Sequence, residues 1–285
     1  MIRNYCFSLI NYLRRHKIRT AIGGILLLWY IFCLPSPLFK EGYATVVESR
    51  EGKLLGGKIA PDGQWRFPER DTVPYKLREA ILAFEDAHFY YHWGVNPIST
   101  AKALLTNLRH GHTVRGGSTL TQQVIRLARK NKARTYGEKL IEAIWATRLE
   151  FRYSKEKILA LYASHAPFGG NVIGADMAAW RYFGVSLEQL SWAEACTLAV
   201  LPNAPGLIFP GHNQNALKKK RDFLLEKLLK NHTIDKTTYE LSLQEPLVER
   251  PHELPNIAPH LVERIARTTP SKRQLTTIDY YLQER

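Results

Sequence analysis

An uncharged run of twenty residues, from Thr20 to Phe39, constrains this chain more than any other feature. Roughly 20 apolar residues span the hydrocarbon of a bilayer, and basic flanks stay on the cytoplasmic side. A basic cluster stands directly before the run: Arg14, Arg15, His16, Lys17 and Arg19. The pattern predicts a cytoplasmic tail over 1–19 and a transmembrane anchor over 20–39. A cleaved signal peptide is the alternative, but Pro35 and Pro37 end the run and no small-x-small site follows, which favours a retained anchor.

The charge balance narrows the class of partner. Forty Lys and Arg stand against 26 Asp and Glu, a net charge of +14. The first forty residues hold six basic and no acidic side chains, which leaves 34 − 26 = +8 for the rest. Such an excess fits nucleic acid, an anionic membrane or a phosphorylated substrate. An anchored chain facing outward makes nucleic acid an unsuitable partner.

Beyond the anchor, the residue pattern divides the chain into three further parts. Short β-like pieces with turns at Glu51-Gly52 and Asp62-Gly63 predict a hairpin or linker over 40–70. Helical periodicity predicts one large helical domain over 71–245. Proline-rich sequence follows over 246–285 and predicts a linker stub, with a strand at Leu275–Asp279 that pairs with the hairpin. Cys6, Cys33 and Cys196 form no disulfide framework and no metal site, and Cys196 is predicted to be buried.

The stretch from Phe84 to Gly94 concentrates carboxylates, imidazoles and aromatic rings. The preceding apolar spacing places Glu85 and Asp86 on the last turn of an amphipathic helix. A carboxylate near Phe84, Phe89 and Trp93 would lose hydration, which raises its pKa and suits it to accept a proton. A solvated helix end with its aromatic residues in the core explains the same pattern.

Two later segments carry further candidates. Gly116, Gly117 and Ser118 precede a helix, and a helix N-terminus is a natural anion site, although a plain capped turn fits equally well. Basic residues follow it, and such a run is usually a solvated face. In the next helix, Leu140, Ile141, Ile144, Trp145 and Leu149 form the predicted buried stripe. Glu142 lies at the edge of that stripe, where it can face a cleft or water.

Three ordered motifs together resemble those of the peptidoglycan glycosyltransferases. They are Glu85-Asp86-x-x-Phe89-x-x-His92-x-Gly94, then Gly117-Ser118-Thr119-Leu120-Thr121-Gln122-Gln123, then Glu138-Lys139-x-x-Glu142-Ala143 with Tyr153-Ser154-Lys155 and Ile158-Leu159. The resemblance runs from about Pro74 to Pro210 and is strongest to the 1C type of the class A penicillin-binding proteins. It implies a mainly α, lysozyme-like fold, with the N-terminal transmembrane helix and a small β element formed near both ends.

The resemblance also implies the reaction and the roles of residues. Lipid II would be polymerised into β-1,4 glycan with inversion and release of undecaprenyl diphosphate. Glu85 would be the general base, and Glu142 would orient the diphosphate, its cations or a metal. The implied substrate-binding residues are Ser118, Thr119, Gln122, Gln123, Arg126, Arg134 and Lys139. The family commonly has Lys where this chain has Arg126, and Glu and Asn where it has Ala160 and Ser164.

The implied partners are lipid II, the growing glycan strand, the cytoplasmic membrane and other cell-wall synthesis proteins. The expected location is the bacterial inner membrane, single-pass, with the catalytic domain on the periplasmic side. No cofactor is required, and a divalent cation such as magnesium at the diphosphate stays open. Ser154-Lys155-Glu156-Lys157 matches the Ser-x-x-Lys signature of transpeptidases, but no Ser-x-Asn or Lys-Thr-Gly follows, so we expect no transpeptidase activity.

Two other functions fit parts of the sequence. His88 and His92, spaced i, i+4, could share one helix face and bind zinc in a hydrolase, although His-Glu-x-x-His and a third ligand are lacking. A catalytically silent membrane scaffold of the same fold is the second alternative. Elemental analysis tests the first of these, and a polymerisation assay tests the second.

Overall fold

The computed structural model describes residues 15–111, 116–132, 135–203, 205–207 and 209–284, apart from the side chains of Leu104 and Asn107. Helices dominate the described residues, which confirms the predicted mainly α class. In chain order they are α1 Lys17–Phe32, α2 Tyr75–Glu85, α3 Pro97–His110, α4 Leu120–Ala128, α5 Tyr136–Glu150, α6 Lys155–His165, α7 Ala175–Phe183, α8 Trp192–Val200, α9 Gln214–Lys230, α10 Lys236–Gln244, α11 Pro259–Thr268 and α12 Tyr280–Glu284.

The strands form two small sheets within the described residues. They are β1 Thr45–Glu48, β2 Leu54–Lys58, β3 Trp65–Arg66, β4 Pro167–Gly169, β5 Val172–Ile173 and β6 Arg273–Leu275. The first sheet has the order β2-β1-β6 and the second β3-β5-β4. The predicted hairpin is therefore confirmed as β1 and β2, which pair antiparallel. The second sheet joins β3 to a glycine-containing loop that holds β4 and β5, and these strands are too short for a periodic signal.

Helix α1 covers part of the predicted anchor. Its apolar side chains are largely exposed, among them Ile25 and Phe32. Among the described residues, no helix is both long and apolar enough to cross a membrane. After α1 ends at Phe32, Leu34, Leu38 and Phe39 lie buried in the main core. The predicted anchor over 20–39 therefore includes residues that pack inside the folded domain, and its membrane role stays a prediction.

The main core forms where six helices pack together. Helix α8 contacts both α2 and α9, while α4 packs against α5 and α6. Cys196 lies on α8 and is fully buried, as predicted, and burial raises the pKa of its thiol. Side-chain caps start the helices where the sequence places them: Ser154 Oγ accepts from Lys157 N and Ser191 Oγ from Glu194 N. These helices hold α2 and α4 at fixed positions next to each other.

The segment predicted as a linker stub is structured around the first sheet. Val262 and Ile265 of α11 pack on Val47 and Leu55 in a second, smaller core. Gly56 permits this approach, because a Cβ there would lie 2.9 Å from Val262 Cγ2. Strand β6 pairs with β1, as predicted, but in parallel and two residues earlier than expected. Thr276 ends the strand by donating its N–H and hydroxyl to Glu48 O, at 2.9 and 2.8 Å.

Candidate active site

Glu85 is the last residue of α2, as the sequence predicts. Its side chain is half-buried, and Gln123 Nε2 donates to its Oε2 at 2.8 Å. Burial raises the pKa of Glu85, an effect that the Gln123 hydrogen bond and the charge of Lys220 oppose and the charge of Asp86 reinforces. Of the predicted flanking rings, Phe89 is buried and Phe84 half-buried. Trp93, in contrast, is 69% exposed. The raised pKa keeps the predicted role of proton acceptor physically reasonable.

The neighbouring carboxylate, Asp86, has a different environment. It is buried and its Oδ2 accepts the N–H of Leu120 at 3.0 Å and Nε2 of His92 at 2.9 Å. Asp86 therefore binds the N-terminus of α4, where a negative charge is favourable. It fixes the start of α4 next to the end of α2.

The same contacts overturn the zinc hypothesis. Helix α2 ends at Glu85, and a 3-10 turn occupies Phe89–Tyr91, so His88 and His92 do not share a helix face. His88 is exposed, whereas His92 is buried against Asp86. Helical spacing fails here because the chain leaves the helix three residues before His88.

The start of α4 uses two predicted substrate-binding residues in its own cap. Thr119 Oγ1 accepts from Gln122 N at 3.2 Å and donates to Gly94 O at 2.6 Å. Gln122 Oε1 in turn accepts from Thr119 N at 2.9 Å, which completes a capping box. Both side chains are buried. Gly94 has φ +80°, and a Cβ there would lie 2.6 Å from Ala146 O. Thr119 and Gln122 therefore shape the site and do not line it.

Glu142 forms the second predicted corner of the site. Its two carboxylate oxygens accept from Arg126 Nε at 2.9 Å and Arg126 Nη2 at 2.7 Å. Arg126 Nη2 also donates to Ser118 Oγ at 3.1 Å. The predicted buried stripe on α5 is wrong in part, because Leu140 is 63% exposed while Glu142 is 5% exposed. The bidentate pair with Arg126 offsets the free-energy cost of burying this carboxylate.

Helix α4 connects the two carboxylates. Gln123 contacts Glu85 and Arg126 contacts Glu142. Residues three apart on a helix are neighbours, about 5–6 Å apart at Cβ. One turn of α4 therefore holds a carboxylate with a raised pKa beside an arginine that is braced by a second carboxylate.

The remaining predicted cations have different outcomes. Lys139 is exposed on the first turn of α5. Arg134 lies outside the described residues, so its position stays a prediction. Glu138 forms an ion pair with Arg129, whose guanidinium lies over the Trp145 ring at 4.5 Å. The basic run after α4 is thus partly paired and partly solvated.

Lys220 contributes to the site although the sequence analysis did not select it. It belongs to a charge run on α9 in which Lys218 and Lys219 are exposed, as expected for a solvated face. Lys220 is half-buried and donates to Asn203 Oδ1 at 2.8 Å. Burial lowers its pKa, and the charge of Glu85 opposes that shift. Arg221 is fully buried and donates to Glu245 O at 2.6 Å.

Tyr162 is the second residue that sequence reasoning missed. Its ring is buried on α6, and its hydroxyl has no hydrogen-bond partner in the part of the chain that the structure describes. Burial raises the pKa of Tyr162 well above its usual range, and the charge of Glu85 adds to the effect. The apolar pattern over Ile158–Tyr162 predicts that the Tyr162 ring is buried. It does not predict that the hydroxyl lacks a partner or that the charge of Glu85 acts on it.

The second carboxylate of the site is already paired with a cation of the protein. Both oxygens of Glu142 accept hydrogen bonds from Arg126, so the guanidinium charge offsets the charge of this carboxylate. No group of three His, Cys, Asp or Glu side chains comes together within the described ranges. We therefore derive no reaction step through a cation, and a cation at the diphosphate stays a prediction.

Comparisons with known proteins agree on one family. A family model described as Transglycosylase matches residues 56–229. Penicillin-binding protein 1C of Escherichia coli K12 is 36% identical over 252 residues, which cover 88% of this chain and 33% of that protein. Penicillin-binding protein 1A of Aquifex aeolicus VF5 is 32% identical over 218 residues, covering 75% of this chain and 30% of that protein. The chain thus spans about a third of the length of these relatives.

Among solved structures, the chain is similar to penicillin-binding protein 1A from Haemophilus influenzae. The TM-score is 0.41 at 19% sequence identity, and the match covers 85% of this chain and 28% of that chain.

Proposed function

The chain belongs to the transglycosylase family of the penicillin-binding proteins, and on this premise we propose that it polymerises lipid II into β-1,4-linked glycan strands. The configuration at the anomeric carbon of the donor sugar is inverted, and undecaprenyl diphosphate is released. One observation carries the proposal: a single turn of α4 holds Glu85 through Gln123 and Glu142 through Arg126. We also propose that the fold is lysozyme-like.

Glu85 acts as the general base. The acceptor is a sugar hydroxyl, which is a poor nucleophile until a base takes its proton. As the new bond forms at the anomeric carbon, the proton passes to Glu85. The bond to the diphosphate breaks, and its electron pair leaves with the diphosphate. The raised pKa of Glu85 supports this role, because it makes the carboxylate a better proton acceptor near neutral pH.

Arg126 binds the leaving diphosphate. Glu142 holds the guanidinium through Nε and Nη2, while Nη1 has no partner among the described residues. An arginine fixed in this way can stabilise charge that develops on a phosphate oxygen. Glu142 positions the arginine and forms no covalent sugar intermediate, in keeping with a single inversion. Ser118, Lys139 and Arg134 are proposed as further contacts to the diphosphate.

The substrate's lipid tail places the reaction at the cytoplasmic membrane, with the catalytic domain on its outer side. Two features support this proposal. Basic residues precede an apolar helix whose side chains are exposed, including Leu26, Trp29 and Phe32. Helix α3 also exposes Ile98, Leu105 and Leu108. Contiguous exposed apolar surface commonly marks a membrane or protein contact.

Glu85→Gln tests the proposal, because the amide keeps the shape of the side chain and lacks basicity. Purified full-length protein in detergent would be incubated with lipid II, and the glycan product measured. We expect turnover to fall by roughly 10²–10⁴-fold. Glu240→Gln is the matched control, since Glu240 is exposed on α10.

Two results would count against the proposal. Near wild-type turnover in Glu85→Gln would remove Glu85 from the role of base. A wild-type protein that makes no glycan from lipid II would instead favour the catalytically silent scaffold.

A further inference from the structure

The hydroxyl of Tyr162 is a buried polar group that the fold leaves without a partner. Tyr162 is 2% exposed on α6, and its hydroxyl makes no hydrogen bond within the described residues. A buried donor that stays unpaired costs free energy, whereas a phenylalanine ring in the same place would not carry that cost. A hydroxyl that is kept at the expense of stability is a candidate for a role in function.

The face of α6 that carries Tyr162 is turned toward the chain that follows Glu85. At the start of this helix, Lys155 Nζ donates to His92 O at 2.7 Å and lies 4.4 Å from the centre of the Phe89 ring. Tyr162 comes seven residues later, about 20° from Lys155 around the helix and about 10.5 Å further along its axis. The two side chains therefore lie on one face of α6, two turns apart.

The charge of Glu85 acts on the Tyr162 hydroxyl, and no other charge of the described residues does so. Helix α4 lies between the two elements, because it packs against α6 and holds Glu85 through Gln123. Gln123 donates to Oε2 of the carboxylate, and no described residue donates to Oε1. A carboxylate accepts about four hydrogen bonds, so Glu85 has room for a second donor.

A phenol is chemically suited to be that second donor. The raised pKa of Tyr162 keeps its hydroxyl protonated, so it donates to Glu85 without competing for the proton that the base takes up. A hydrogen bond to the charged form of a carboxylate lowers its pKa, which opposes the effect of burial on Glu85. The two groups are not hydrogen-bonded in the structure, and catalytic hydrogen bonds are often long in a free enzyme and shorten in the reacting complex.

The other groups that face Glu85 do not supply this contact. Lys220 of α9 lowers the pKa of Glu85 through its charge, and the adjacent Asp86 raises it. Helix α4 presents a neutral amide, and Arg126, one turn further along that helix, is paired with Glu142. Among the described residues, the amide alone donates to the Glu85 carboxylate.

We propose that Tyr162 is a positioning residue for the base, with a hydroxyl that closes onto Glu85 and donates a hydrogen bond to its Oε1. The inference rests on the proposed function, which makes Glu85 the base. Tyr162 touches no substrate and acts through Glu85. Together with Gln123 it fixes the carboxylate by both oxygens and favours its charged form.

Tyr162→Phe tests the hydroxyl, because the change removes one oxygen atom and keeps the ring. In the lipid II assay we expect kcat to fall roughly tenfold while KM stays the same. The acid limb of the pH–rate profile should move to higher pH by about one unit, since Glu85 loses a donor to its charged form. The thermal unfolding midpoint should equal or exceed that of the wild type, because the hydroxyl that is lost had no partner.

Tyr182→Phe is the matched control. The Tyr182 hydroxyl is also buried, but it donates to Phe168 O at 2.9 Å and the charge of Glu85 does not act on it. This variant should lower the unfolding midpoint, since it breaks a buried hydrogen bond, and should leave the pH–rate profile in place. A Tyr162→Phe protein with the same behaviour would show that its hydroxyl belongs to the packing, and would overturn the proposal.

A direct titration of Glu85 separates this proposal from the proposed function. The glutamates of the full chain in detergent would carry ¹³C in their side-chain carboxyl groups, and the Glu85 signal would be identified by its absence from Glu85→Gln. Tyr162→Phe should raise the pKa of Glu85 by about one unit, with or without glycan synthesis, and Tyr182→Phe should not. An unchanged pKa in Tyr162→Phe would overturn the positioning role even if Glu85 is the base. A raised pKa in a protein that makes no glycan would refute the proposed function and still support the contact between Tyr162 and Glu85.

Discussion

At the scale of single residues, two adjacent carboxylates have opposite environments. Glu85 is half-buried beside Gln123 and its pKa is raised, whereas Asp86 accepts hydrogen bonds from Leu120 N and His92 Nε2. The difference arises because α2 ends between them, and Asp86 turns to the N-terminus of α4. Because the chain changes direction at Glu85, Glu85 can serve as the proposed base while Asp86 holds the start of α4.

The pH dependence of turnover should show the electrostatic effect of Lys220 on the pKa of Glu85. Its positive charge lowers the pKa of Glu85, so Lys220→Ala should raise that pKa further. The proposed base can accept a proton only when it is deprotonated, and the acid limb of the pH–rate profile should therefore move to higher pH. The profile would be measured from lipid II turnover across the acidic and neutral range.

Lys218→Ala is the control for this shift, because Lys218 is exposed and pairs with Asp222. Its profile should coincide with that of the wild type. A Lys220→Ala protein that loses the same fraction of turnover at every pH would show that Lys220 acts on the substrate and not through Glu85.

The sequence could predict the site only where local pattern carries the information. The motif residues Glu85, Glu142 and Arg126 do come together around α4. The spacing of Thr119 and Gln122 is that of a capping box, so their structural role was also readable from the sequence. Lys220 was not readable, because its place beside Glu85 depends on how α9 packs against α2. The burial of Glu142 was not readable from the sequence either, because it depends on Arg126 of another helix.

At the scale of elements, α4 organises the site and Arg126 ties it to α5. Arg126→Ala would leave the Glu142 carboxylate buried without its partner, which typically costs roughly 3–5 kcal/mol. We therefore expect a clear drop in the free energy of unfolding in urea. The double change Arg126→Met with Glu142→Leu should restore most of it, since no unpaired charge remains.

Lys218→Ala provides the comparison for that measurement. It breaks an exposed pair with Asp222, and such pairs contribute roughly 0–1 kcal/mol. If Arg126→Ala destabilised the protein no more than Lys218→Ala does, the Arg126–Glu142 pair would not hold α4 and α5 together.

The helices themselves were largely predictable, whereas the C-terminal segment was not. Capped helices such as α6 and α8 begin where Ser154 and Ser191 indicate. Proline-rich sequence before α11 obscured that helix, although Val262 and Ile265 occur at helical spacing. Its fold depends on the first sheet, which lies some two hundred positions away in the sequence, and local patterns do not report such a contact.

At the scale of the whole molecule, the segment after α1 belongs to the folded domain. Leu34, Leu38 and Phe39 are in the main core, and the Phe39 ring stacks on His165 with centroids 3.5 Å apart. Removal of residues 1–32 deletes the hydrogen bonds of Tyr30 with Thr147 and of Arg148 with Ile31 O but no buried side chain of α1, so it should lower the thermal unfolding midpoint only slightly. Removal of residues 1–40 should lower it further, since loss of one buried Phe typically costs about 3–5 kcal/mol.

Phe39→Ala in the full chain removes the buried ring without shortening the chain, and so tests whether the lost ring causes the drop in the midpoint. It should reproduce much of the loss seen when residues 1–40 are removed. Equal midpoints for the two truncations would contradict the assignment of this segment to the core.

The parallel pairing of β6 with β1 also affects how the protein can be made. Thr276 bonds to Glu48 across 228 positions of sequence. At typical synthesis rates, β1 and β2 would leave the ribosome on the order of tens of seconds before β6 does. During that interval the free edge of β1 is open to any extended chain nearby. The order of synthesis therefore leaves this edge of the hairpin unpaired until β6 has been made.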